Sequence, residues 1–258
     1  MQLFHRDLGG AGRPPLVILH GMLGSSRNWL SVGTELAGTF HVSALDLRNH
    51  GRSPHDIAMN YGVLADDVLA WLDSQRLARA ALLGHSLGGK VAMRLACRAP
   101  ERVARLVVVD IAPRAYPEKL ERAEFAAMRA LRLDAIASRG DAERAMESLV
   151  PAPLMRKFLT TNLEQEPGGA WRWTINLPTL TAAVPVLVEN PLVSGDRYDG
   201  LAQFITGGQS DFVRPEDATA IRGHFPAAKI VTIAGCGHNP HMEARVEFVR
   251  LVTEAVAS

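Results

Sequence analysis

Six short apolar segments, separated by longer stretches of mixed character, dominate the chain. Each is five to seven residues long, and its apolar positions follow one another without strict alternation. Continuous apolar character of this kind is typical of strands buried on both faces, as in a parallel sheet. The predicted strands are residues 16–20, 41–46, 80–85, 105–110, 202–207 and 229–235.

Helical periodicity fills most of the intervals between these strands. Pro100 ends one such pattern, as a proline after a helix commonly does. The predicted helices are residues 27–37, 61–75, 86–99, 215–224 and 243–256. Strands that alternate with helices predict an α/β fold with a mostly parallel, doubly wound sheet and right-handed crossovers.

Residues 113–199 interrupt this alternation. They carry three amphipathic helix patterns and a short apolar segment, and they are too numerous for a loop. We therefore expect a mainly helical insertion, residues 113–199, between two parts of one core domain, residues 1–112 and 200–258.

Composition narrows the class of protein further. Of 258 residues, 47% are apolar, and 28 Lys and Arg side chains balance 27 Asp and Glu, a formal charge of +1. This balance argues against a nucleic-acid partner. No apolar run reaches the roughly 18 residues of a membrane span, and the first residues do not resemble a secretory signal. Two cysteines make no disulfide framework. We expect a soluble cytoplasmic protein, a monomer or a homodimer, without metal or cofactor.

The stretch from Gly84 to Gly88 has the Gly-x-Ser-x-Gly pattern of a nucleophile elbow. In that turn, between a strand and a helix, the serine backbone is strained and side chains at the flanking glycines would collide with neighbouring backbone. The serine hydroxyl then stands at the start of a helix, whose N–H groups favour negative charge. Ser86 is therefore the predicted nucleophile.

A nucleophilic serine needs a base. His238 follows the last predicted strand on a glycine-rich loop, so it should lie at the same sheet edge as Ser86. His241 is a rival that lies nearer the last helix. Cys236 lies close by, and we interpret it as structural because nothing in its local sequence would lower its pKa.

Two further parts of a hydrolytic site can be assigned. The N–H groups of Leu87, after the nucleophile, and Met22, in the loop after the first predicted strand, are candidates for an oxyanion hole. Two carboxylates could orient the histidine: Asp211 follows one strand in a Gly-x-x-Asp spacing, and Asp110 ends another. The pattern favours Asp211 as the carboxylate that orients the histidine, with Asp110 as the alternative.

The chain resembles the α/β-hydrolase superfamily almost from end to end, in particular the YbfF-type short-chain esterases, relatives of the abhydrolase-11 group. The resemblance implies a carboxylic-ester hydrolase, also capable of acting on acyl thioesters, with a helical cap inserted after the sixth strand. It also makes Asp110 a serious candidate for the triad acid, because the matching aspartate has that role in some members of the branch. The segments that carry the resemblance include "LHGMLGSSRNW", "DLRNHGRSPH", "GHSLGGKVAM", "VVDIAPRAY", "FITGGQSDFV" and "GCGHNPHMEA".

Other residues have candidate roles around the site. Arg48, Asn49 and His50 could bind a polar head group, although local support of the loop after the first strand is the favoured interpretation. Lys90 is expected to be a solvated or capping lysine. For the apolar pocket candidates, packing is the favoured interpretation. The candidate substrate-pocket residues are His20, Gly21, Leu23, His85, Met128, Leu154, Phe158 and Trp173.

Three functions remain open from the sequence. The first is hydrolysis of a small-molecule ester or thioester through an acyl-enzyme. The second is other chemistry on the same scaffold, as in a cofactor-free haloperoxidase, a perhydrolase or a C–C bond hydrolase. The third is a non-catalytic ligand receptor.

Overall fold

The computed structural model describes residues 1–120 and 122–257, and within these ranges the chain forms nine strands. Seven belong to one central sheet and two to a separate antiparallel pair. The strands are β1 (His5–Asp7), β2 (Pro15–Leu19), β3 (His41–Leu45), β4 (Ala80–His85), β5 (Val103–Val109), β6 (Leu163–Gln165), β7 (Trp171–Trp173), β8 (Ala202–Gly207) and β9 (Ala228–Ile233).

The central sheet has the strand order β1-β3-β2-β4-β5-β8-β9. All neighbouring pairs are parallel except β1 and β3 at one edge. The six strands predicted from the apolar segments correspond to β2, β3, β4, β5, β8 and β9, so the mostly parallel sheet is confirmed. β1 was not predicted, because a three-residue polar edge strand carries no apolar signal.

Ten α-helices lie within the described ranges, and none of them has the length and apolar character needed to cross a membrane. Capping residues mark several starts: the side chain of Asn60 accepts the N–H of Val63 at 3.0 Å before the second helix. The helices are α1 (Leu30–Leu36), α2 (Tyr61–Ser74), α3 (Leu87–Arg98), α4 (Ala123–Ala130), α5 (Arg139–Ala145), α6 (Pro153–Thr160), α7 (Leu177–Leu187), α8 (Asp217–His224), α9 (Pro240–Glu243) and α10 (Arg245–Ala257).

The core occupies both faces of the sheet. Successive residues of a strand point to opposite faces, so Leu19 packs in one apolar cluster and Ile18 in the other. Helices α2 and α3 cover the first face, and α1 and α10 cover the second. Burial on both faces explains why these strands have no polar side. Their parallel pairing places their carboxyl ends at one edge of the sheet.

The segment between β5 and β8 contains α4 to α7 and the antiparallel pair β6–β7. The segment follows β5, the fifth strand of the chain, whereas the resemblance implied an insertion after the sixth strand. The numbering differs by one because only β1 precedes β2 among the described residues. The β6–β7 pair was not predicted either. Its strands have three residues each and pair Leu163 with Trp173, which is too short to produce a recognisable alternation.

Candidate active site

Ser86 lies in a strained backbone conformation between β4 and α3. Its φ of 51° and ψ of −113° are unusual for any residue with a side chain. The Ser86 N–H donates to the carbonyl of Val109 at 3.0 Å, which ties the turn to the end of β5. Such strain persists only where the surroundings over-determine it, and here strand, helix and neighbouring strand all do so.

The flanking glycines leave room for this turn. A Cβ at Gly84 would lie 2.2 Å from the carbonyl oxygen of Gly88, and one at Gly88 would lie 2.2 Å from that of Leu19. Both separations are far below any real carbon–oxygen contact, so only hydrogen fits at either position. The structure thus agrees with the steric explanation that the sequence predicts for these glycines.

His238 is paired with Asp110. The Nδ1 of His238 lies 2.8 Å from Oδ2 of Asp110, and the ring of Phe212 stacks on the imidazole at a centroid distance of 3.7 Å. Because a carboxylate can only accept, Nδ1 carries the proton, and in the neutral imidazole Nε2 therefore has the free lone pair. Asp110 is 1% exposed and also accepts from the N–H of Gly207 at 2.9 Å and from the hydroxyl of Ser210.

Asp211, the carboxylate favoured by the sequence pattern, lies elsewhere. Its side chain is 61% exposed and pairs with Nζ of Lys119 at 2.9 Å. The hydrogen bond from Lys119 lowers the pKa of Asp211. The loop after β8 turns Ser210 toward Asp110 and leaves Asp211 at the surface, so Asp110, and not Asp211, contacts His238.

Two other histidines pack around His238. His85 donates from Nε2 to the carbonyl oxygen of His238 at 2.8 Å, and burial lowers the pKa of His85 so that it stays neutral. His241, the rival base, is buried and stacked on Trp29 at 4.3 Å. Burial lowers the pKa of His241 to about 3. His85 thus positions the backbone of His238, while His241 is a packing residue.

These contacts bring three sequence-distant residues to one sheet edge. His85, the residue before Ser86, hydrogen-bonds to the backbone carbonyl of His238. Val109, the residue before Asp110, accepts a hydrogen bond from the backbone N–H of Ser86. Together with the His238–Asp110 hydrogen bond, they join the ends of β4 and β5 and the loop after β9 into one cluster.

The loop after β2 lies directly against the elbow. The carbonyl oxygen of His20 accepts the N–H of Gly88 at 3.1 Å. The buried imidazole of His20 accepts the N–H of Leu47 at 3.0 Å and donates to the carbonyl of Gly21 at 2.8 Å. Within the described residues, the N–H groups of Met22 and Leu87 have no protein acceptor, and both residues line the cleft beside Ser86.

The loop containing Arg48 to His50 supports this arrangement. His50 accepts the N–H of Leu23 at 3.3 Å, and burial lowers the pKa of His50 to about 3. Arg48 forms two hydrogen bonds to the buried carboxylate of Asp67, at 2.5 and 3.0 Å. These contacts agree with the favoured interpretation of the loop as local support.

The cleft at Ser86 has a different lining from the expected pocket. His20, Leu23, His85 and Met128 are buried behind it, and Leu154 is 83% exposed on the surface. Gly21 lies against the ring of His85, and Phe158 and Trp173 pack against the core. The lining residues are Met22, Tyr61, Ser86, Leu87, Lys90, Ile111, Tyr116, Arg122, Leu187, Val188 and Phe212.

Lys90 is the largest departure from the sequence expectation. Instead of being solvated, it is 2% exposed, and its Nζ donates to the carbonyl oxygens of Val188 at 3.2 Å and Glu189 at 2.6 Å. Burial lowers the pKa of Lys90 to about 7. Its position four residues after Ser86 places it on the same helix face, which is the signal that sequence reasoning overlooked.

Neither cysteine belongs to the site. Cys97 and Cys236 are both unpaired, and burial raises the pKa of the Cys97 thiol to about 12. Burial also raises the pKa of Cys236, which agrees with its structural interpretation. In the part of the chain that the structure describes, no group of three His, Cys, Asp or Glu side chains is arranged to hold a metal ion.

Comparison with known proteins agrees with this architecture. A family profile described as alpha/beta hydrolase fold matches residues 14–245. The sn-1-specific diacylglycerol lipase ABHD11 of Xenopus tropicalis is 36% identical over 97% of this chain and 80% of its own length. Esterase YbfF of Escherichia coli (strain K12) is 34% identical over 89% of this chain and 87% of its own length. A solved marine microorganism esterase superimposes with a TM-score of 0.95 at 34% identity, covering 99% of both chains.

The chain therefore belongs to the α/β-hydrolase fold family. Within that family its relatives include YbfF and ABHD11, so the branch that the sequence resembles is confirmed.

The steric role of the elbow glycines can be tested through stability. We expect Gly88→Ala to lower the free energy of unfolding by about 1–3 kcal/mol, because the new methyl group meets the backbone of Leu19. Gly223→Ala is the matched control: nothing lies within 4 Å of its Cβ position in α8, so it should stabilise by about 0.5–1 kcal/mol. Thermal unfolding measures both. Equal effects of the two substitutions would contradict the explanation.

Proposed function

We propose that this protein hydrolyses carboxylic esters of short to medium acyl chain length through an acyl-enzyme formed on Ser86. The observation that carries the proposal is the 2.8 Å hydrogen bond between His238 and the buried carboxylate of Asp110, at the sheet edge where the strained serine lies. That hydrogen bond leaves Nε2 of His238 as a base, which is what a serine nucleophile requires.

In the proposed reaction, Nε2 of His238 accepts the proton of Ser86 as its Oγ attacks the ester carbonyl. The N–H groups of Met22 and Leu87 stabilise the negative charge on the carbonyl oxygen, and one such donor is typically worth about 10²–10³ in rate. The alcohol leaves with the proton from His238. Water, activated by the same imidazole, then attacks the acyl-enzyme and releases the acid.

Asp110 acts through His238. Its carboxylate fixes the tautomer of the imidazole and stabilises the imidazolium that forms during attack. Burial and the two further hydrogen bonds from Gly207 and Ser210 keep the carboxylate oriented toward the ring. Asp211, paired with Lys119 at the surface, has no part in the proposed mechanism.

Residues 113–199 act as a cap over the cleft in this proposal. Leu187 and Val188, at the end of α7, line the cleft opposite Ser86 and Leu87 of the core. The hydroxyl of Tyr61 donates to the carbonyl of Leu187 at 2.5 Å, which joins the two parts beside the nucleophile. Substrate selection would then depend on both the core and the insertion.

The named relatives support a hydrolase of the carboxylesterase type. This chain is similar over most of its length to proteins named as an esterase and a diacylglycerol lipase. An acyl thioester presents the same carbonyl to the same residues, so thioesters are included in the proposed substrate class.

Removal of the nucleophile tests the acyl-enzyme. We expect Ser86→Ala to lower kcat on p-nitrophenyl acetate by about 10³-fold or more, because no other group can form the acyl intermediate. The burst of p-nitrophenol and labelling by a fluorophosphonate should both disappear. Ser74→Ala, at an exposed serine in α2, is the control and should keep both. A burst that survives in Ser86→Ala would remove this residue from the mechanism.

A second pair of variants tests the choice of acid. Asp110→Asn should lower kcat by about 10³–10⁴-fold, because an amide cannot stabilise the imidazolium and favours the wrong tautomer. Asp211→Asn should leave kcat within a few-fold, since that carboxylate pairs with Lys119 at the surface. Steady-state kinetics with the same ester compares them, and the opposite order of effects would restore Asp211 as the acid.

A further inference from the structure

The charged side chains that line the cleft are all basic. Two of the residues that line it, Lys90 and Arg122, carry positive charge, and none of the lining residues within 1–120 and 122–257 is acidic. The remaining lining side chains are aromatic, aliphatic or hydroxyl-bearing. A site for neutral esters alone would not require any buried cation beside the nucleophile, because burying a charge is unfavourable unless it is compensated.

Among the residues that the structure describes, only two hydrogen-bond acceptors contact the ammonium group of Lys90. Two of its three protons are used by the carbonyls of Val188 and Glu189, and the group lies 4.7 Å from the ring centre of Tyr116. The backbone N–H of Lys90 donates to the carbonyl of Ser86, one helical turn earlier. The lysine is therefore on the face of α3 that also carries the nucleophile.

Arg122 is the second cation. Its Nε donates to the carbonyl of Lys119 at 3.2 Å, and in the described part of the chain no carboxylate lies within ion-pair distance of its guanidinium. By contrast Arg114, a third cation near Lys90, is paired with Asp217 at 3.2 Å and Glu118 at 3.4 Å. Among the described residues, neither Lys90 nor Arg122 forms an ion pair within 4.0 Å, although Glu118, Glu189 and Glu124 lie near enough to act on one or the other.

We propose that the ester substrate carries a carboxylate group, which Lys90 and Arg122 bind while Ser86 attacks the ester carbonyl. A substrate carboxylate would give both cations a directly bonded counter-charge inside the cleft, and a charge-assisted hydrogen bond in a buried site is stronger than a neutral one. This substrate class rests on the proposed esterase function and makes it more specific.

Two pairs of isosteric esters test the preference and show which side of the ester carries the charge. Monomethyl succinate and methyl 4-methylpentanoate differ by a carboxylate in place of an isopropyl group on the acyl side. O-acetylglycolate and isobutyl acetate differ in the same way on the alcohol side. At pH 6 we expect kcat/KM for the anionic member of at least one pair to be roughly 10- to 100-fold higher.

The pH dependence of that ratio reports on Lys90. The ammonium is charged below its pKa of about 7 and neutral above it, so the ratio of anionic to neutral ester should fall between pH 6 and pH 8.5. The guanidinium of Arg122 stays charged throughout. The charged groups that act on Lys90 are Arg114, Arg122, Glu118 and Glu189, and Tyr61 and Tyr116 face it.

Three variants complete the test. Lys90→Met and Arg122→Met should each lower the ratio at pH 6 by about 5-fold or more, and Lys90→Met should make it independent of pH. Arg129→Met removes an exposed charge at the other end of α4 and should leave the ratio unchanged. Since loss of Lys90 also removes its bonds to residues 188 and 189, Arg122→Met keeps the test informative if Lys90→Met does not fold.

The outcomes separate this inference from the proposed function. Hydrolysis of p-nitrophenyl acetate that depends on Ser86, with no preference for the anionic member of either pair, would overturn the carboxylate proposal and leave the esterase intact. No hydrolysis of any ester by the folded wild-type protein would overturn both. A ratio that neither Lys90→Met nor Arg122→Met changes would also reject the assignment of these residues.

Discussion

A serine held at φ 51° and ψ −113° is the constraint on which the rest of the site depends. The conformation is unfavourable for an isolated residue, so the surrounding backbone has to enforce it. Packing of Gly84 against Gly88, and of Gly88 against Leu19, brings the start of α3 close to β2 and β4. The loop after β2 and the ends of β4 and β5 are consequently placed around one hydroxyl.

Buried histidines form much of the frame around that hydroxyl. His20, His50 and His85 each use ring nitrogens to bind loop backbone, and burial lowers the pKa of all three. A neutral imidazole offers one donor and one acceptor in a rigid ring, which suits it to joining two loops. Of the described histidines packed around the elbow, His238 alone hydrogen-bonds to a carboxylate, and this pairing distinguishes the proposed base from its neighbours.

Local sequence predicted the parts of the site that depend on local geometry. The elbow follows from the spacing of two glycines around Ser86, and the six buried strands follow from continuous apolar segments. The choice between Asp110 and Asp211 depends on how the loop after β8 turns, which a strand–loop pattern does not contain. The resemblance to a known branch made Asp110 a candidate for the triad acid, whereas spacing alone favoured Asp211.

The cleft lining was the least predictable part. Lys90 has the sequence context of any surface lysine, and its burial follows from the way the end of α7 packs over α3. Leu154 and Phe158 look apolar enough for a pocket, but α6 leaves one exposed and packs the other against the core. β1 and the β6–β7 pair escaped prediction because three-residue strands are too short for a periodic signal.

The bonds from Lys90 to residues 188 and 189 have a consequence for evolutionary change in the insertion. Both acceptors are main-chain carbonyl oxygens, so they are present whatever side chain occupies either position. Mutational drift could replace Val188 and Glu189 without removing this anchor, as long as the chain turns in the same place. This part of the attachment between insertion and core is thus encoded by the lysine of α3, which leaves the side chains at positions 188 and 189 free to diversify.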